Sequence, residues 1–492
     1  MKKHINFNGD NLRLKQLLKK IEIDICDIIY DHKINDITDI SKETVKNDIY
    51  VAIKGHKKDG HQFIKQAILN GAKTIIYESD IPIDIGNINY IKVSSTKKIY
   101  AKILDCFYEK IKENVIVVGI TGTNGKTSTS TLITSFLEYN NKKCCLIGTN
   151  GIMINQEKIS INNTTPRIKT IYDMFIKMKK LKIKYLIMEA TSISLKELRL
   201  EGIMFDYVFM TNFASDHLDY HSSLDDYFYS KMRLLSQLKP NGKIILNVDD
   251  AKYKLVLEMS KNEIINYGIK EKCVFQATNI KIVDDLWRFN VQYDSHITTF
   301  STKLIGHFNI YNILATLALI EDLGFSSYDM VSFLQVFTHL DGRMEIVRKN
   351  DRMYVIDYAH TYESVKSSLE ALKYYNQDII LVIGCGGDRD KTKRGLIADV
   401  SCKYANHVIF TSDNPRFEDE EAIILDMIEN LNYNNYEIET NRLLAIKKAV
   451  LKANKKDIVA ILGKGCEEYQ IKNNIKYPFN DKDILLNSLR GD

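Results

Sequence analysis

The sequence predicts an α/β protein built on doubly wound parallel sheets, and two features of the chain support this class. Short apolar runs rich in Val and Ile alternate with stretches that predict helices, which is the order that repeated βα units produce. Turns rich in glycine or polar residues follow several of these runs, and open α/β sheets bind ligands beyond the carboxyl ends of their strands. The chain has 492 residues, which suggests about three domains.

Residues 1–97 are predicted to form the first domain, a small α/β unit. Ile49–Ile53 and Lys73–Tyr77 are apolar runs of strand length, so each predicts a buried strand. A helix is predicted between them, from about Gln62 to Asn70, because Gly71 follows it directly and glycine commonly ends a helix.

Residues 98–340 are predicted to form the central domain. The strand Val115–Ile120 is followed by a glycine-rich turn and by the predicted helix Thr127–Tyr139, which together make a βα unit with a nucleotide loop. Further strands are predicted at residues 185–188, 207–210 and 243–247. We therefore expect a doubly wound sheet that carries a phosphate-binding loop.

Residues 341–492 are predicted to form the third domain, with a Rossmann-like arrangement. Its predicted strands alternate with helices, and its loops follow the strands, where ligands bind in this type of sheet. The strands are Met353–Ile356, Ile379–Ile383, His407–Phe410 and Ile458–Leu462.

Composition excludes several classes of protein. The 68 basic and 63 acidic side chains leave a net charge of +5, and without a dense basic block this does not indicate a nucleic-acid binder. No apolar run is long enough to predict a membrane span, and the N-terminus does not resemble a signal peptide. The eight cysteines contain no CxxC pair, so they predict neither a zinc site nor a disulfide framework. We expect a cytoplasmic monomer.

The turn Gly122–Thr127, with the sequence GTNGKT, is predicted to bind a nucleotide. Glycines let backbone N–H groups approach phosphate oxygens, and the start of a helix adds a favourable dipole. A lysine and a hydroxyl at the end of such a loop serve the terminal phosphates and Mg²⁺. Ile120 stands where the usual loop pattern has its first glycine, so a plain glycine turn with an unrelated lysine is the alternative.

This loop resembles the ATP loop of the Mur ligases and the folylpolyglutamate synthetases. Further short motifs then follow in the order that the tripeptide synthetases of the Mur ligase family show. Each motif is weak alone, but the ordered set extends along nearly the whole chain. The motifs begin at Asn163, Met188, Thr211, Asp216, Gly306, Gly342, Asp357, Gly384, Asp413 and Gly463.

The resemblance implies a three-domain Mur ligase that binds a uridine nucleotide, ATP and an amino acid in successive domains. The implied reaction is ATP-dependent ligation of meso-diaminopimelate to UDP-MurNAc-L-Ala-D-Glu in peptidoglycan synthesis, through an acyl phosphate. Such phosphoryl transfer requires Mg²⁺. The implied metal ligands are Thr127, Glu189, His217 and a carbamylated Lys231.

The resemblance also assigns the ligand contacts, residue by residue. The catalytic group is Lys126, Glu189, His217 and Lys231. The ATP contacts are Gly122, Thr123, Asn124, Gly125, Lys126, Thr127, Ser128, Asn309, Arg343 and Asp357, with His360 near them. The contacts to the UDP-sugar peptide are Ser41, His56, Asn163, Thr164, Thr165, Ser192 and Arg199. The contacts to diaminopimelate are Arg389, Asp413, Asn414, Pro415, Arg416, Gly463 and Glu467.

For several of these residues a structural explanation is the alternative. Glu189 and His217 follow predicted strands, where side chains are commonly only solvated or packed. Asn309 stands where a helix is expected to begin and can be an N-cap. Lys231 lies in a predicted helix, where a lysine is ordinarily solvated.

The tetrapeptide Asp413–Arg416 predicts the added amino acid. Arg416 can pair with a distal carboxylate, while Asp413 and Asn414 can hold a distal amine. L-Lysine lacks the second carboxylate, so a buried arginine would reject it. A lysine-adding enzyme is one alternative, and meso-lanthionine, which carries the same charged groups, is another possible substrate.

Four positions depart from the family pattern. Ile193 and Cys466 stand where the family usually has histidine, and Lys42 and Tyr362 are milder changes. The loss of two histidines leaves open a nucleotide-binding paralogue without catalysis. The retained Lys126, Glu189, His217 and Lys231 favour an active ligase.

Overall fold

The computed structural model describes residues 12–26, 28–55, 58–80, 86–293 and 296–490, except for the side chain of Lys110. The chain forms two compact units. Unit 1 consists of residues 1–119, 141–206 and 233–240, and unit 2 of residues 120–140, 207–232 and 241–492. The predicted boundaries near residues 97 and 340 are not limits of these units, so the three-domain division stays a prediction.

Unit 1 contains two groups of paired strands. The first is a parallel four-stranded sheet. In the second, Tyr185–Glu189 pairs in parallel with Cys144–Gly148, and two antiparallel strands continue from there. The described strands are Ile37–Thr38, Ile49–Val51, Thr74–Tyr77, Asn89–Lys92, Cys144–Gly148, Gly151–Ile154, Glu157–Ile159 and Tyr185–Glu189. The α-helices are Leu14–Lys20, Ile64–Leu69, Thr96–Phe107, Ile168–Leu181 and Ser192–Lys196.

Three strands continue along the chain from one unit into the other, and the remaining elements belong to unit 2. The three are Ile116–Thr121, Phe205–Met210 and Leu238–Asn247. The strands of unit 2 are Ile264–Gly268, Phe275–Val283, Leu286–Tyr293, His296–Thr302, Glu345–Lys349, Arg352–Asp357, Ile379–Ile383, His407–Phe410, Tyr436–Ile438, Ile458–Leu462, Tyr469–Lys472 and Ile475–Pro478. Its α-helices are Lys126–Tyr139, Leu224–Met232, Tyr253–Met259, His307–Asp322, Ser327–Val336, Tyr362–Lys373, Thr392–Tyr404, Glu420–Ile428, Arg442–Lys452 and Asp481–Leu489.

The last part of unit 2 is a six-stranded sheet that is parallel except at one edge. Ile458–Leu462 pairs in parallel with both Arg352–Asp357 and Ile379–Ile383. All residues of Ile458–Leu462 and Ile379–Ile383 are buried, as expected where helices cover both faces of a parallel sheet. The carboxyl ends of these strands therefore bring three loops to one edge.

The α/β class is confirmed, and the sheets also carry antiparallel strands at their edges. Phe275–Val283, Leu286–Tyr293 and His296–Thr302 form an antiparallel meander. In Leu286–Tyr293 the side chains of Trp287, Phe289 and Val291 are buried at every second position. This alternation is typical of an antiparallel strand with one solvated face, and it leaves no continuous apolar run of strand length in the sequence.

Most element positions agree with the sequence. The strands Ile379–Ile383, His407–Phe410 and Ile458–Leu462 are confirmed with their predicted bounds. The helix predicted from Gln62 to Asn70 is instead a 3-10 turn, Gly60–Phe63, followed by the α-helix Ile64–Leu69. Among the residues described, no helix is long and apolar enough to span a membrane.

A buried ion pair anchors the C-terminal helix of unit 2. Arg442 donates from Nε and Nη2 to the two carboxylate oxygens of Asp481, at 2.8 and 2.7 Å, and from Nη2 to the carbonyl oxygen of Leu462. Both side chains are fully buried. Breaking such a pair leaves an uncompensated buried charge.

We predict that Arg442→Met lowers the free energy of unfolding by about 3–5 kcal/mol, because Asp481 keeps its charge without a partner. Urea unfolding measures the loss, and amide exchange should quicken in the helix Asp481–Leu489. The control is Lys448→Met, which removes the exposed lysine from its pair with the half-buried Glu439 and should cost less than about 1 kcal/mol. Equal effects of the two variants would contradict the prediction.

Candidate active site

The turn Gly122–Thr127 adopts a conformation that only glycine allows at two positions. Gly122 has φ 143° and Gly125 has φ 84°, backbone angles that residues with a Cβ rarely adopt. A Cβ on Gly122 would lie 1.9 Å from the Thr211 hydroxyl oxygen. Gly125 caps the helix Lys126–Tyr139. The turn therefore places successive backbone N–H groups at the start of a helix, which favours an anion.

Residues after the strand Phe205–Met210 hold this turn in place. The Thr211 hydroxyl donates to the carbonyl oxygen of Asn124 at 2.7 Å, and the Asn124 N–H donates to the side chain of Asn212 at 2.9 Å. The Thr123 hydroxyl donates to the carbonyl oxygen of Ala214 at 3.1 Å. Because the turn is fixed by these bonds, its backbone donors are already oriented for a ligand.

Two lysines converge on the carbonyl oxygen of Gly122. Lys126 Nζ donates to it at 2.9 Å, and Lys231 Nζ donates to it at 2.7 Å. Lys231 is only 2% exposed, and burial together with the nearby Lys126 holds the pKa of its amine well below the usual value. The expectation that a helix lysine is solvated is therefore wrong at Lys231.

His217 has an unusual backbone and a shifted pKa. Its φ is 54°, in the left-handed region, where strain is often found at functional sites. Burial, Lys126 and Lys231 lower the pKa of His217 to about 4, so its imidazole is neutral at pH 7. Burial raises the pKa of the adjacent Asp216, but His217 and His360 outweigh burial and bring it to about 2.

Arg343 lies just before the first strand of the six-stranded sheet, and it contacts the turn Gly122–Thr127, called the phosphate turn below. Its Nη2 donates to the Thr127 hydroxyl at 3.3 Å, and its guanidinium carbon lies 4.2 Å from the centre of the Tyr358 ring. Asp357, at the end of the strand Arg352–Asp357, is buried, and burial raises its pKa. It accepts hydrogen bonds from the Tyr358 N–H and the Ser368 hydroxyl.

Asn309 lies inside the helix His307–Asp322, whose N-cap is Gly306, so the N-cap interpretation of Asn309 is wrong. Its amide donates to the carbonyl oxygen of Ile305 and accepts from the Asn312 amide. Asn312 in turn accepts from Thr129 on the helix that follows the phosphate turn. Ser128 is buried on that same helix. An adenine contact of Asn309 stays a prediction.

A cavity of about 260 Å³ lies beside these residues. One part of its wall contains Asp216, His217 and His360. The other part comes from loops that follow strands of the six-stranded sheet, and it includes most residues predicted to contact diaminopimelate. These are Arg389, Asp413, Asn414, Arg416, Gly463 and Glu467.

The loops on either side of this cavity approach each other backbone to backbone. A Cβ on Gly387 would lie 1.9 Å from the carbonyl oxygen of Pro415, and one on Gly384 would lie 2.1 Å from that of Thr411. Arg416 has φ 55°, and its Nη1 donates to the carbonyl oxygen of Gly387 at 2.6 Å. The glycines therefore let the segment 413–416 lie close against the loop 384–387.

The cavity presents groups of opposite charge. The Arg416 guanidinium is half-buried, and its pKa is lowered by burial and by the neighbouring Arg389. Among the described residues, the Asp413 carboxylate has no hydrogen bond or ion pair, although Asp413 is only 8% exposed. Arg389 pairs with Asp219 at 2.7 Å. An unpaired carboxylate beside a desolvated guanidinium suits a ligand that carries both an ammonium and a carboxylate.

In unit 1, Glu189 is the last residue of a strand and is 1% exposed. Its two carboxylate oxygens accept from the N–H and the hydroxyl of Thr149 at 3.0 and 2.9 Å. The Thr165 hydroxyl donates to the Glu189 carbonyl oxygen, and Arg199 donates to the Thr165 carbonyl oxygen. Thr164 contacts Thr149 at 3.4 Å. Unit 1 thus brings together four residues that the sequence assigned to the site.

Four other predicted contacts are less connected to this group. Ser192 is buried in the first turn of the helix Ser192–Lys196. Ser41 is buried in a 3-10 turn, and its carbonyl oxygen accepts from Asn70. Asn163 is exposed in a bend. His56 lies outside the described residues.

Sequence reasoning missed three residues in unit 2. Tyr227 contacts the turn and Lys231, since its hydroxyl lies 3.1 Å from the Thr123 hydroxyl and its ring centre lies 4.3 Å from Lys231 Nζ. Lys393 lines the cavity. Lys464 is fully buried beneath it. The GKG sequence around Lys464 was the available signal, and nothing in the sequence marked Tyr227.

The two departures from the family pattern are both half-buried. Ile193 lies on the helix Ser192–Lys196 in unit 1. Cys466 follows Gly465 in unit 2, and burial raises the pKa of its thiol. Neither position carries an imidazole, so any proton transfer near them depends on other groups.

Comparison with protein families gives three matches in chain order. A model described as the Mur ligase family, catalytic domain, matches residues 37–116. The Mur ligase middle domain matches residues 120–320, and the model described as Mur ligase, glutamate ligase domain, matches residues 342–465.

Curated relatives match over nearly their full length. A UDP-N-acetylmuramoyl-L-alanyl-D-glutamate--2,6-diaminopimelate ligase of Clostridioides difficile is 36% identical, covering 94% of this chain and 95% of that one. UDP-N-acetylmuramyl-tripeptide synthetase 2 of Oceanobacillus iheyensis is 35% identical, covering 97% and 96%.

Solved structures agree with these matches. A structure of a UDP-N-acetylmuramoyl-L-alanyl-D-glutamate--2,6-diaminopimelate ligase has a TM-score of 0.71 at 27% identity, covering 96% of this chain and 98% of that one. The MurF ligase of Thermotoga maritima in complex with ADP has a TM-score of 0.64 at 19% identity, covering 93% and 97%, and this likeness concerns the fold alone.

We predict that Gly122→Ala weakens MgATP binding by at least tenfold, about 1.4 kcal/mol, because the new methyl group collides with Thr211 and disfavours the backbone angle. Titration of the protein with a fluorescent ATP analogue measures the affinity. Gly395→Ala is the matched control, since a Cβ there meets nothing within 4 Å. Unchanged affinity in Gly122→Ala would refute the role of this turn.

Proposed function

Since the chain belongs to the Mur ligase family, we propose that it ligates meso-diaminopimelate to UDP-MurNAc-L-Ala-D-Glu at the expense of ATP. The products are the UDP-MurNAc-tripeptide, ADP and phosphate. The names of the full-length relatives support this reaction. The observation that carries the choice of amino acid is the cavity in which Asp413 and Arg416 present opposite charges beside His217.

The first chemical step transfers the γ-phosphoryl group of ATP to the D-Glu carboxylate. A carboxylate oxygen forms a bond to the γ-phosphorus as the bond to the ADP oxygen breaks. The backbone N–H groups of the turn 122–127 and the ammonium of Lys126 bind the phosphates, and they favour the charge that spreads over the transferred group. Arg343, hydrogen-bonded to Thr127, adds a second cation beside that turn.

In the second step the amine of diaminopimelate attacks the acyl phosphate, forms the amide and releases phosphate. The attacking ammonium must first lose a proton. His360 lines the cavity, burial lowers its pKa, and its Nδ1 lies 2.8 Å from the Tyr358 carbonyl oxygen. That contact keeps the proton on Nδ1, so Nε2 is the free acceptor. We assign proton removal to His360.

Mg²⁺ is part of the proposal, with Thr127 and His217 as ligands in unit 2 and Glu189 as a ligand predicted by resemblance. A hydroxyl and a carboxylate supply the oxygen ligands that a hard cation prefers, and a neutral imidazole offers a nitrogen atom as a further ligand. The ion, when bound, neutralises charge on the phosphates.

Lys231 fits the proposed carbamate. Its amine is buried and donates to the carbonyl oxygen of Gly122, and no carboxylate among the described residues lies within ion-pair distance. A carbamate there replaces a cation with oxygen ligands for a second Mg²⁺.

The remaining parts of the proposal concern the contacts to the uridine nucleotide, the cellular location, the oligomeric state and the domain boundaries. Ser41, Asn163, Thr164, Thr165, Ser192 and Arg199 are the proposed contacts in unit 1, and Arg199 suits an anionic group. We further propose a cytoplasmic monomer with functional domains at residues 1–97, 98–340 and 341–492.

Phosphate release by the purified protein tests this function. The assay contains ATP, Mg²⁺ and UDP-MurNAc-L-Ala-D-Glu, with meso-diaminopimelate, L-lysine, meso-lanthionine or no amino acid. We expect release that depends on meso-diaminopimelate. Release with L-lysine alone would overturn the specificity, and ATP binding without release in any mixture would indicate a paralogue without catalysis.

We predict that Arg416→Ala lowers kcat/KM for meso-diaminopimelate at least a hundredfold, about 2.7 kcal/mol, because the distal carboxylate loses its charged partner. The affinity for MgATP should stay unchanged. Arg348→Ala, which removes an exposed pair with Asp285, is the control and should behave as the wild type. Wild-type turnover by Arg416→Ala would refute the assignment.

We predict that Lys231→Ala is inactive and that acetate or formate restores part of its activity, since a small carboxylate supplies the oxygen ligands of the carbamate. Lys126→Ala is the control, because a carboxylate cannot replace its ammonium. Phosphate release is measured with and without added carboxylate. An active Lys231→Ala variant without any additive would contradict the carbamate.

A further inference from the structure

Lys464 is fully buried under the wall of the amino-acid cavity. It lies in the turn that follows the strand Ile458–Leu462, between Gly463 at φ 116° and Gly465 at φ 52°. Its Nζ donates to Glu467 Oε2 at 2.8 Å and to Asn414 Oδ1 at 3.2 Å. Asn414 and Glu467 both line the cavity, whereas Lys464 stands behind them.

These bonds determine the orientation of the Asn414 amide. Its Oδ1 accepts from two donors, Lys464 Nζ and the Ile471 N–H, the latter at 2.9 Å. Its Nδ2 donates to Glu467 Oε2 at 2.9 Å. The reverse orientation would place an NH₂ group against two donors, so the network permits one arrangement. Because Oδ1 is already used twice, Asn414 offers a ligand its remaining N–H.

The same bonds balance the charge of Glu467. Its carboxylate is 20% exposed and is paired with a lysine that has no exposure to solvent, so the pair is neutral toward the cavity. Beside Glu467, Arg416 and Asp413 keep charges that a ligand can meet. A donor amide and a neutralised glutamate beside Arg416 favour a carboxylate at this end of the cavity.

We propose that Lys464 is a positioning residue that sets the preference for an amino acid with a distal carboxylate. It does so by fixing Asn414 as a donor and by neutralising Glu467. This inference rests on the proposed ligase function, and in it Asn414 donates to the distal carboxylate, whereas the sequence suggested a contact with the distal amine. Asp413 and the second oxygen of Glu467 are the acceptors for that amine.

Lys464→Met tests this role through the ratio of kcat/KM for meso-diaminopimelate to that for L-lysine. Without Lys464, Glu467 becomes an uncompensated negative charge near the distal carboxylate, and the Asn414 amide is free to turn. We expect kcat/KM for meso-diaminopimelate to fall at least about tenfold, mainly through KM. L-Lysine, which ends in an ammonium, should lose less, so the ratio falls.

Two further variants separate this role from a loss of stability. The double variant Lys464→Met/Glu467→Gln removes both charges. Its ratio of kcat/KM for meso-diaminopimelate to that for L-lysine should return most of the way to the wild-type value. Glu467→Gln alone leaves the cation of Lys464 and should not lower the ratio. Lys169→Met is the control, since Lys169 is a half-buried lysine of unit 1 that pairs with Asp36 and Asp173, and it should leave the ratio unchanged.

The possible outcomes distinguish a failure of the proposed ligase function from a failure of the proposed role of Lys464. A wild type that releases no phosphate with meso-diaminopimelate overturns the ligase assignment and the role of Lys464 with it. An active wild type with an unchanged ratio in Lys464→Met overturns the role of Lys464 alone. A lower ratio in Glu467→Gln, or no recovery in the double variant, overturns it as well. If Lys464→Met does not fold, the other two variants decide.

Discussion

The carbonyl oxygen of Gly122 accepts hydrogen bonds from Lys126 and from Lys231, and much of the site depends on this shared acceptor. Burial and the repulsion between two neighbouring ammonium groups both disfavour the protonated form of a lysine, so they lower its pKa. Lys126 lies at the start of a helix beside the phosphate turn, whereas Lys231 is enclosed and its pKa falls. The turn can lie this close to Thr211 because Gly122 has no Cβ that would collide with the Thr211 hydroxyl.

The cavity lined by Asp413 and Arg416 depends on a different constraint, the close packing of loops at the carboxyl ends of parallel strands. Gly384 and Gly387 allow the segment 413–416 to pack against their backbone. That packing directs the Arg416 guanidinium to the Gly387 carbonyl oxygen and leaves the Asp413 carboxylate open to the cavity. The Arg442–Asp481 pair is fully buried, and the buried Lys464 pairs with Glu467 in the cavity wall. These pairs keep the groups at the surface of the cavity in one arrangement.

The sequence predicted the fold where a local signal determines the structure. The apolar run Ile458–Leu462 and the turn before Thr127 have strong signals, because continuous burial and glycine conformation both depend on nearby residues. The meander that begins at Phe275 was missed because its burial alternates. The roles of Tyr227 and Lys464 were missed for another reason. Each depends on contacts with distant parts of the chain, Tyr227 with Thr123 and Lys464 with Asn414, and no local pattern encodes such contacts.

The segment 357–360 connects the two halves of the site in unit 2. Tyr358 stacks on Arg343, which contacts Thr127 at the phosphate turn, and the ring of His360 lies against Tyr358 while lining the cavity. A Cβ on Gly465 would lie 2.5 Å from the Gly342 carbonyl oxygen, so the turn that carries Lys464 packs against the residue before Arg343. In the proposed reaction, the groups that bind the nucleotide and those that bind the amino acid are therefore held by the same short loops. A displacement of these loops would alter both proposed sites, so the two proposed chemical steps depend on the same structural support.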